Sequence, residues 1–267
     1  MQDRTGARPR AAPWPGWVEA LGLFVVYQGF EQLRALLVGK AGPALRHGRW
    51  IADLERWTWT LHEPPLNHWV VAHVRLAQTF NIYYGTVHFV VPPAVLLWLW
   101  RRHPDRYGAW RTLLAAVTVA GLVAFVVFPA APPRLVPASA HATFRDTTPL
   151  GGLGPLDRGH FTDPNPYAAM PSLHAAWSLW SALAVIAAAA PRRRAGWRRA
   201  TLLYPAATAV VVVGTANHWI ADVVAGWLLV GALWWLLAAT SRFRVALRRG
   251  TQDSGAPAVA ARSGTGP

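Results

Sequence analysis

The chain has 267 residues, of which 53% are hydrophobic and only 14% are charged, and it carries 26 Lys and Arg against 12 Asp and Glu. A soluble domain of this length has roughly 25% charged residues, so much of this surface is expected to face lipid. The apolar content excludes a disordered chain. The absence of cysteine excludes disulfides, thiol chemistry and cysteine-based metal sites.

The net charge of +14 is concentrated in clusters between apolar runs. The clusters are Arg4, Arg8 and Arg10; Arg101, Arg102, Arg106 and Arg111; Arg192, Arg193, Arg194, Arg198 and Arg199; and Arg242, Arg244, Arg248 and Arg249. A nucleic-acid-binding module would instead carry basic residues on one folded surface, interleaved with exposed aromatic side chains. The clusters therefore predict a membrane topology and no nucleic-acid partner.

Six apolar runs have a length that can cross a bilayer, directly or tilted within a bundle. They cover approximately residues 17–38, 79–100, 112–128, 171–190, 200–216 and 219–239. The predicted fold class is all-α, a polytopic membrane protein built as a bundle of six transmembrane helices. Tryptophans near the span ends, among them Trp219 and Trp235, are expected in interfacial belts, and the spacing of Gly226 and Gly231 indicates close helix packing.

Six spans place both termini on one side, and the positive-inside rule puts that side in the cytoplasm, with the protein in the plasma membrane. The predicted organisation is an N-terminal cytoplasmic tail over 1–16, the six-span membrane domain over 17–240 and a basic, disordered cytoplasmic tail over 241–267. The first apolar run lacks a small-residue cleavage site after it, so it is predicted to be a permanent anchor.

Two segments between the runs are too polar to cross lipid. In 43–75, Trp50, Ile51, Leu54 and Trp57 recur at helical spacing, which predicts an amphipathic helix lying in the membrane interface. The second segment, 130–170, is rich in Pro and Gly and is predicted to be a structured extracytoplasmic loop.

Polar groups at membrane depth are expensive and mark functional sites. His218 and Asp222 open the sixth run at a spacing of four, which predicts that they share one helical face. The carboxylate would accept a proton from one imidazole nitrogen and leave the other free as a nucleophile or base. Asn217 precedes this pair and is a candidate pocket residue.

Two further groups fall on the same, outer side. Ser172 and His174 follow Pro171, and a proline at the first helical position leaves backbone N–H groups open for an anion. Arg134 follows two prolines, and its planar fork matches phosphate oxygens. Together the groups predict phosphoryl transfer in which His218 attacks phosphorus, His174 protonates the departing oxygen and Arg134 holds the oxygens, with no metal or cofactor.

Other readings of the same residues stay open. The histidines and Asp222 are either catalytic, or satisfied polar groups of a bundle, or ligands of a metal that His88 would join. Arg134 is either a phosphate ligand or an ordinary interfacial arginine.

Candidate pocket residues also have two readings. Asn81, Tyr84 and His88 share one helical face and either line the pocket or hydrogen-bond to neighbouring helices. Asp163 and Asn165 either contact a headgroup or form a turn at the neighbouring prolines.

At these residues the sequence resembles the membrane-bound type 2 phosphatidic acid phosphatase superfamily, whose signature is Lys-x6-Arg-Pro, then Pro-Ser-x-His, then Ser-Arg-x5-His-x3-Asp. The second motif is matched in full by Pro171, Ser172 and His174. The third is matched only at His218 and Asp222, and the first only at Arg134. Val127, Leu135, Val211 and Val212 replace the other motif residues.

The stretches around Arg134 and Pro171 resemble the branch related to inositol phosphorylceramide synthases. That branch shares the reduced third motif and an Asn, Tyr and His series like Asn81, Tyr84 and His88. The resemblance covers most of 79–240 and implies a six-span bundle, a phosphohistidine on His218 and a membrane lipid phosphate or phosphodiester substrate. It leaves open whether water or a polyol such as inositol is the acceptor, and it leaves the oligomeric state open.

A transporter or proton-relay protein that uses buried histidines is the alternative from another functional class. Such proteins often show inverted repeats and helices interrupted near the bilayer midplane. Here the ionisable groups lie at span ends on one side, which favours the enzyme.

Overall fold

The computed structural model describes residues 41–58, 63–137, 143–151, 166–188 and 194–240. The predicted first span, both predicted tails, Asp163 and Asn165 lie outside these ranges.

The described residues form seven α-helices and no strand. The helices are α1 (Ala41–Trp57), α2 (Glu63–Ala72), α3 (Val74–Arg102), α4 (Pro104–Val127), α5 (Leu173–Ala188), α6 (Arg194–Gly214) and α7 (Ile220–Ala238). Two short 3-10 turns, Pro133–Leu135 and Thr148–Leu150, and an isolated bridge between Ala130 and Ala168 lie in the connection between α4 and α5. The prediction of an all-α fold is confirmed.

Three of the described helices, α3, α4 and α7, are long and apolar enough to cross a membrane. Two more apolar helices, α5 and the Arg199–Gly214 part of α6, are shorter. Helix α3 begins five residues before the predicted second span and α4 begins eight residues before the predicted third, since polar residues extend both helices beyond their apolar cores. The six-span count stays a prediction.

The segment predicted to hold an interfacial helix forms two helices, α1 and α2. Its position in the membrane interface stays a prediction. Helix α1 turns Ala44, Gly48, Ile51 and Glu55 toward the protein, at spacings of four, three and four. Of the predicted apolar face, Ile51 is buried, whereas Trp50, Leu54 and Trp57 are exposed. The small residues pack inward because they let α1 approach the loop after α4, where the Ala131 N–H donates to the Ala44 carbonyl at 3.0 Å.

The main core lies between α3, α4, α5 and α7. Trp110 and Trp180 are both almost completely buried, with ring centroids 6.2 Å apart, and the Trp180 indole donates to the Trp110 carbonyl at 3.0 Å. Apolar side chains from these helices complete this core: Leu96, Leu99, Leu113, Val117, Phe125, Leu173 and Val230. Each fully buried side chain of this size contributes about 1.5–3 kcal/mol, so the core fixes how these helices pack.

Close helix packing is confirmed at Gly226 and wrong at Gly231. A Cβ at Gly226 would lie closer than 3.0 Å to the Ser172 carbonyl oxygen, whereas a Cβ at Gly231 would meet nothing within 4 Å. Trp219 also departs from its prediction. Instead of lying in an interfacial belt it is fully buried, and its indole donates to the Ala131 carbonyl at 3.0 Å.

The two ends of the bundle differ in chemistry. At one end, the arginine-rich start of α4 meets the end of α5, where the Arg106 guanidinium donates to the Ala187 carbonyl. At the opposite end, α4 and α6 finish and α5 and α7 begin, so the motif residues 134, 172, 174, 218 and 222 are brought to one end.

The Gly226 contact generates a test of the packing. Gly226→Ala should lower the thermal unfolding midpoint of the purified protein, because overpacking against a backbone carbonyl costs about 1–3 kcal/mol and exceeds the gain in helix propensity of about 1 kcal/mol. Gly231→Ala, in the same helix but in open space, should leave the midpoint unchanged or raise it. Equal midpoints for the two variants would contradict the packing described here.

Candidate active site

His218 lies in the bend between α6 and α7, two residues before α7 begins. Its Nδ1 lies 2.9 Å from the Ala169 carbonyl oxygen and 3.4 Å from Asp222 Oδ2. Because a carbonyl oxygen only accepts, Nδ1 carries a proton, and the lone pair of the neutral ring is on Nε2. Among the described residues Nε2 has no hydrogen-bond partner, although the ring is almost fully buried. The arrangement therefore presents an oriented imidazole with a free lone pair.

The predicted reason for the His218–Asp222 contact is wrong, although the two side chains do meet. They do not share a helical face, because His218 precedes the helix. Asp222 instead occupies the third position of α7 and reaches back to accept a hydrogen bond from the Trp219 N–H at 2.9 Å. A carboxylate at this position satisfies an N–H group that the helix itself cannot, and it also approaches the His218 ring.

The bend that carries His218 has an unusual backbone. Ala216 adopts a positive φ of 55°, the one described residue with a side chain in the left-handed region. In this conformation the Ala216 carbonyl accepts a hydrogen bond from the Arg134 N–H at 3.1 Å. Local strain of this kind persists where the surrounding structure holds it, and here it joins two motif segments.

Arg134 is held at this bend by its side chain as well. Its Nε donates to Asn217 Oδ1 at 2.8 Å, and the Asn217 amide donates to Thr215 Oγ1 at 2.8 Å. Asn217, which the sequence predicted as a pocket residue, therefore orients the Arg134 side chain at the bend that carries His218. The fixed Nε leaves the terminal nitrogens of the guanidinium as the remaining donors.

Ser172 and His174 lie where α5 begins, but Pro171 is not the first helical residue as predicted. The helix starts at Leu173 and Ser172 caps it, its Oγ accepting from the Ala175 N–H at 3.3 Å. The Ser172 N–H donates to the Asp222 carbonyl at 2.9 Å, which joins the second motif directly to the third.

Aromatic contacts fix the position of the His174 ring. Tyr84 stacks on it, with centroids 4.3 Å apart and an angle of 20° between the planes. The His88 ring lies 4.2 Å from it and the His218 ring 5.5 Å. His174 Nε2 has no hydrogen-bond partner among the described residues. The structure thus brings Tyr84 and His88 into contact with His174, and their role as pocket residues stays a prediction.

Asn81 does not join them. Its amide donates to the Thr147 and Gly151 carbonyls, both at 2.9 Å, and its Oδ1 accepts from the Thr147 hydroxyl at 2.9 Å. Asn81 therefore anchors the loop after α4, about one helical turn before Tyr84 and two before His88.

Sequence reasoning missed two buried carboxyl groups. Glu63 Oε1 accepts from the Ile220 N–H at 3.0 Å, and Glu55 Oε1 accepts from the Ala221 N–H at 2.6 Å. Burial, aided by a hydrogen bond and repulsion from Glu63, raises the pKa of Glu55 to about 10. A signal was available, because Glu55 continues the helical stripe of Ala44, Gly48 and Ile51.

The described residues contain no group of three or more His, Asp or Glu side chains arranged to hold a metal ion. The predicted metal-site alternative, in which His88 joins His174, His218 and Asp222, therefore gains no support from the geometry. Metal independence itself is left to experiment.

Comparison with known proteins identifies the family. A family model described as the PAP2 superfamily matches residues 49–236, more than two thirds of the chain. No curated protein and no solved structure matches. The chain belongs to the PAP2 superfamily, whose members are phosphatases, and membership supports an enzyme of phosphatase or phosphotransferase type with a membrane lipid substrate.

Proposed function

We propose that this member of the PAP2 superfamily is a membrane lipid phosphatase or phosphotransferase that acts on a lipid phosphate or phosphodiester through a phosphohistidine on His218. The observation that carries the proposal is the tautomer of His218. Its Nδ1–H is committed to the Ala169 carbonyl with the Asp222 carboxylate beside it, and its Nε2 lone pair is left free.

In the first step, His218 Nε2 forms a bond to phosphorus while the bond from phosphorus to the leaving oxygen breaks. The leaving oxygen takes a proton from His174, which must enter this step protonated. The two ring centroids are 5.5 Å apart, a separation that one phosphoryl group with its leaving oxygen can span. Asp222 stabilises the positive charge that develops on the His218 ring.

In the second step, the oxygen of water or of an alcohol attacks the same phosphorus and the bond to His218 Nε2 breaks. The now neutral His174 takes the proton of the attacking group and returns to its starting state. The stacking of Tyr84 on His174 supports this role, because it holds the ring in one plane through both proton transfers.

Phosphate binding is assigned to Arg134, Ser172 and the first turn of α5. Arg134 is fixed through Nε by Asn217, so its terminal nitrogens are the donors that remain for oxygen ligands. The Ser172 hydroxyl accepts from Ala175 and keeps its own proton to donate. The amides of Leu173 and His174 precede the first helical hydrogen bond of α5, and such groups bind anions.

The acceptor separates hydrolysis from transfer. Water would make the protein a lipid phosphatase, whereas an alcohol such as inositol would make it a phosphotransferase of the kind that the inositol phosphorylceramide synthase branch suggests. The resemblance at Tyr84 and His88 supports the second possibility, because both residues lie against His174.

The proposed topology has six spans, a membrane domain over 17–240 and cytoplasmic tails over 1–16 and 241–267. It places the site at the extracytoplasmic face of the plasma membrane. The support is the position of the arginine-rich start of α4. Arg106 lies there, the motif residues lie at the opposite end of the bundle, and the positive-inside rule puts the arginine-rich end in the cytoplasm.

The first test measures phosphate release from a panel of lipid phosphates by the purified protein in detergent, with and without a chelator. His218→Ala should abolish turnover, a loss of several orders of magnitude, because it removes the nucleophile. His73→Ala is the matched control, since the His73 side chain is exposed and bonds to the Trp69 carbonyl of its own segment.

Each result of this test has a definite meaning. Phosphate release that depends on His218 and survives chelation identifies a metal-independent phosphatase. No phosphate release, but a His218-dependent inositol-containing product when inositol and a phospholipid donor are supplied, identifies a phosphotransferase. Full activity of folded His218→Ala would overturn the proposal, and loss of activity with the chelator would overturn metal independence.

A second test concerns the acid. His174→Ala should slow turnover by about 10²–10⁴-fold for substrates with poor alkoxide leaving groups, and by much less for substrates with acidic phenol leaving groups, which depart without a proton. The measurement compares kcat for the two substrate classes. An equal loss for both would contradict the acid role of His174.

A further inference from the structure

The first turn of α7 is held from outside by two carboxyl groups that belong to other helices. Glu63 of α2 accepts from the Ile220 N–H at 3.0 Å, and Glu55 of α1 accepts from the Ala221 N–H at 2.6 Å. Both glutamates are almost completely buried, at 0% and 1% exposure. Three consecutive N–H groups at this helix start, those of residues 219, 220 and 221, therefore each meet a carboxyl oxygen, the first of them from Asp222.

The Glu55 and Glu63 side chains also repel each other, and burial together with this repulsion raises the pKa of Glu55 to about 10. Glu55 therefore keeps its proton at neutral pH. The pair consequently carries less charge than two separate carboxylates would. This makes its burial at the positive end of a helix, close to Asp222, physically sustainable.

Stability of the helix end alone does not require this arrangement. Asp222 already serves as the cap of α7, and a single Ser or Asp would satisfy another amide from within the same segment. Carboxyl groups are costly to bury, and these two come from two different helices that precede α7 by more than 150 positions in sequence. What they add is a connection from α1 and α2 to the turn.

The turn that the two glutamates hold lies between His218, the proposed nucleophile, and Asp222, which approaches its ring. Ile220 and Ala221 connect His218 to Asp222, so a shift of their amides moves the Asp222 carboxylate relative to the His218 ring. The contacts at stake are the 2.9 Å bond from Nδ1 to Ala169 and the 3.4 Å approach to Asp222 Oδ2. Errors of about 1 Å in such a site can cost about 100-fold in rate.

We propose that Glu55 and Glu63 form a positioning pair that sets the geometry of His218 and Asp222 by holding the Ile220 and Ala221 amides. The pair does not contact the reacting atoms. This inference deepens the proposed function, on which it rests for its effect on turnover. Its structural part, the hold on the turn, can be tested without any activity.

The experiment compares variants of the full-length protein. Glu55→Ala and Glu63→Ala remove the acceptors, whereas Glu55→Gln and Glu63→Gln keep a carbonyl oxygen for the backbone amide and replace the carboxyl group by a neutral amide of the same length. Glu63→Asp keeps the acid but withdraws its oxygens by one carbon–carbon bond, about 1.5 Å. Asp53→Ala is the matched control, because Asp53 lies on the exposed side of α1.

Hydrogen–deuterium exchange of the segment containing Ile220 and Ala221 measures the hold on the turn directly. We expect faster exchange there in Glu55→Ala, Glu63→Ala and Glu63→Asp, and wild-type exchange in the two Gln variants and in Asp53→Ala. Where an Ala variant fails to fold, Glu63→Asp against Glu63→Gln is the deciding comparison. Unchanged exchange in folded Glu63→Asp would overturn the proposal whatever the protein's activity.

Kinetics then separate positioning from a merely structural role. The Ala and Asp variants should lose kcat by about tenfold to 100-fold per folded molecule with KM nearly unchanged, and the Gln variants should recover most of it. A loss that only follows the folded fraction would overturn the positioning role. Activity that does not depend on His218 would be a failure of the proposed function, which His218→Ala in the same assay detects separately.

Discussion

The site depends on hydrogen bonds from one motif segment to the backbone of another. The motif residues lie in non-helical segments at helix ends, where buried N–H and C=O groups lose their regular partners and an unsatisfied group costs several kcal/mol in lipid. These segments satisfy one another. The Ser172 N–H donates to the Asp222 carbonyl, the Arg134 N–H donates to the Ala216 carbonyl, and the Ala169 carbonyl accepts from His218. The bonds that complete the backbone are thus the same bonds that place the catalytic candidates.

Such bonds require the chain segments to approach closely, which explains the small residues around the site. Gly226 lies directly on the Ser172 carbonyl, and a Cβ at Gly48 would collide with the Ala131 carbonyl. In a bilayer, helices associate through close packing because the lipid removes most of the hydrophobic drive between them. A larger side chain at either glycine would therefore separate segments that must exchange hydrogen bonds. The close packing of the bundle therefore also maintains the geometry of the site.

Much of this could be read from the sequence, and the limits have physical causes. Five of the six apolar runs coincide with described helices, α3 to α7, since burial in lipid needs only composition and length, but the polar extensions of α3 and α4 were missed. His218, Asp222, His174 and Arg134 stood out because polar groups are costly at membrane depth. The reason for the His218–Asp222 contact was misjudged, because a spacing of four suggests a helix face and only the structure shows that Asp222 is a cap. The roles of Glu55, Gly231 and Trp219 depend on what surrounds each residue in the folded protein. Spacing along the chain does not specify these surroundings.

The distribution of charge around His218 connects these features to the proposed chemistry. When Nε2 bonds to phosphorus, the ring keeps its Nδ1 proton and becomes positively charged. The Asp222 carboxylate lies 3.4 Å from Nδ1, and the Glu55 and Glu63 carboxyl groups accept from the amides of the first turn of α7. The donors assigned to phosphate, Arg134 and the start of α5, belong to other segments. In the proposed mechanism the Asp222 carboxylate stabilises the positively charged ring, while the amides of residues 219, 220 and 221, which already donate to carboxyl oxygens, do not compete for the substrate phosphate. In this proposed mechanism, the start of α7 therefore holds the nucleophile and the start of α5 binds the anion.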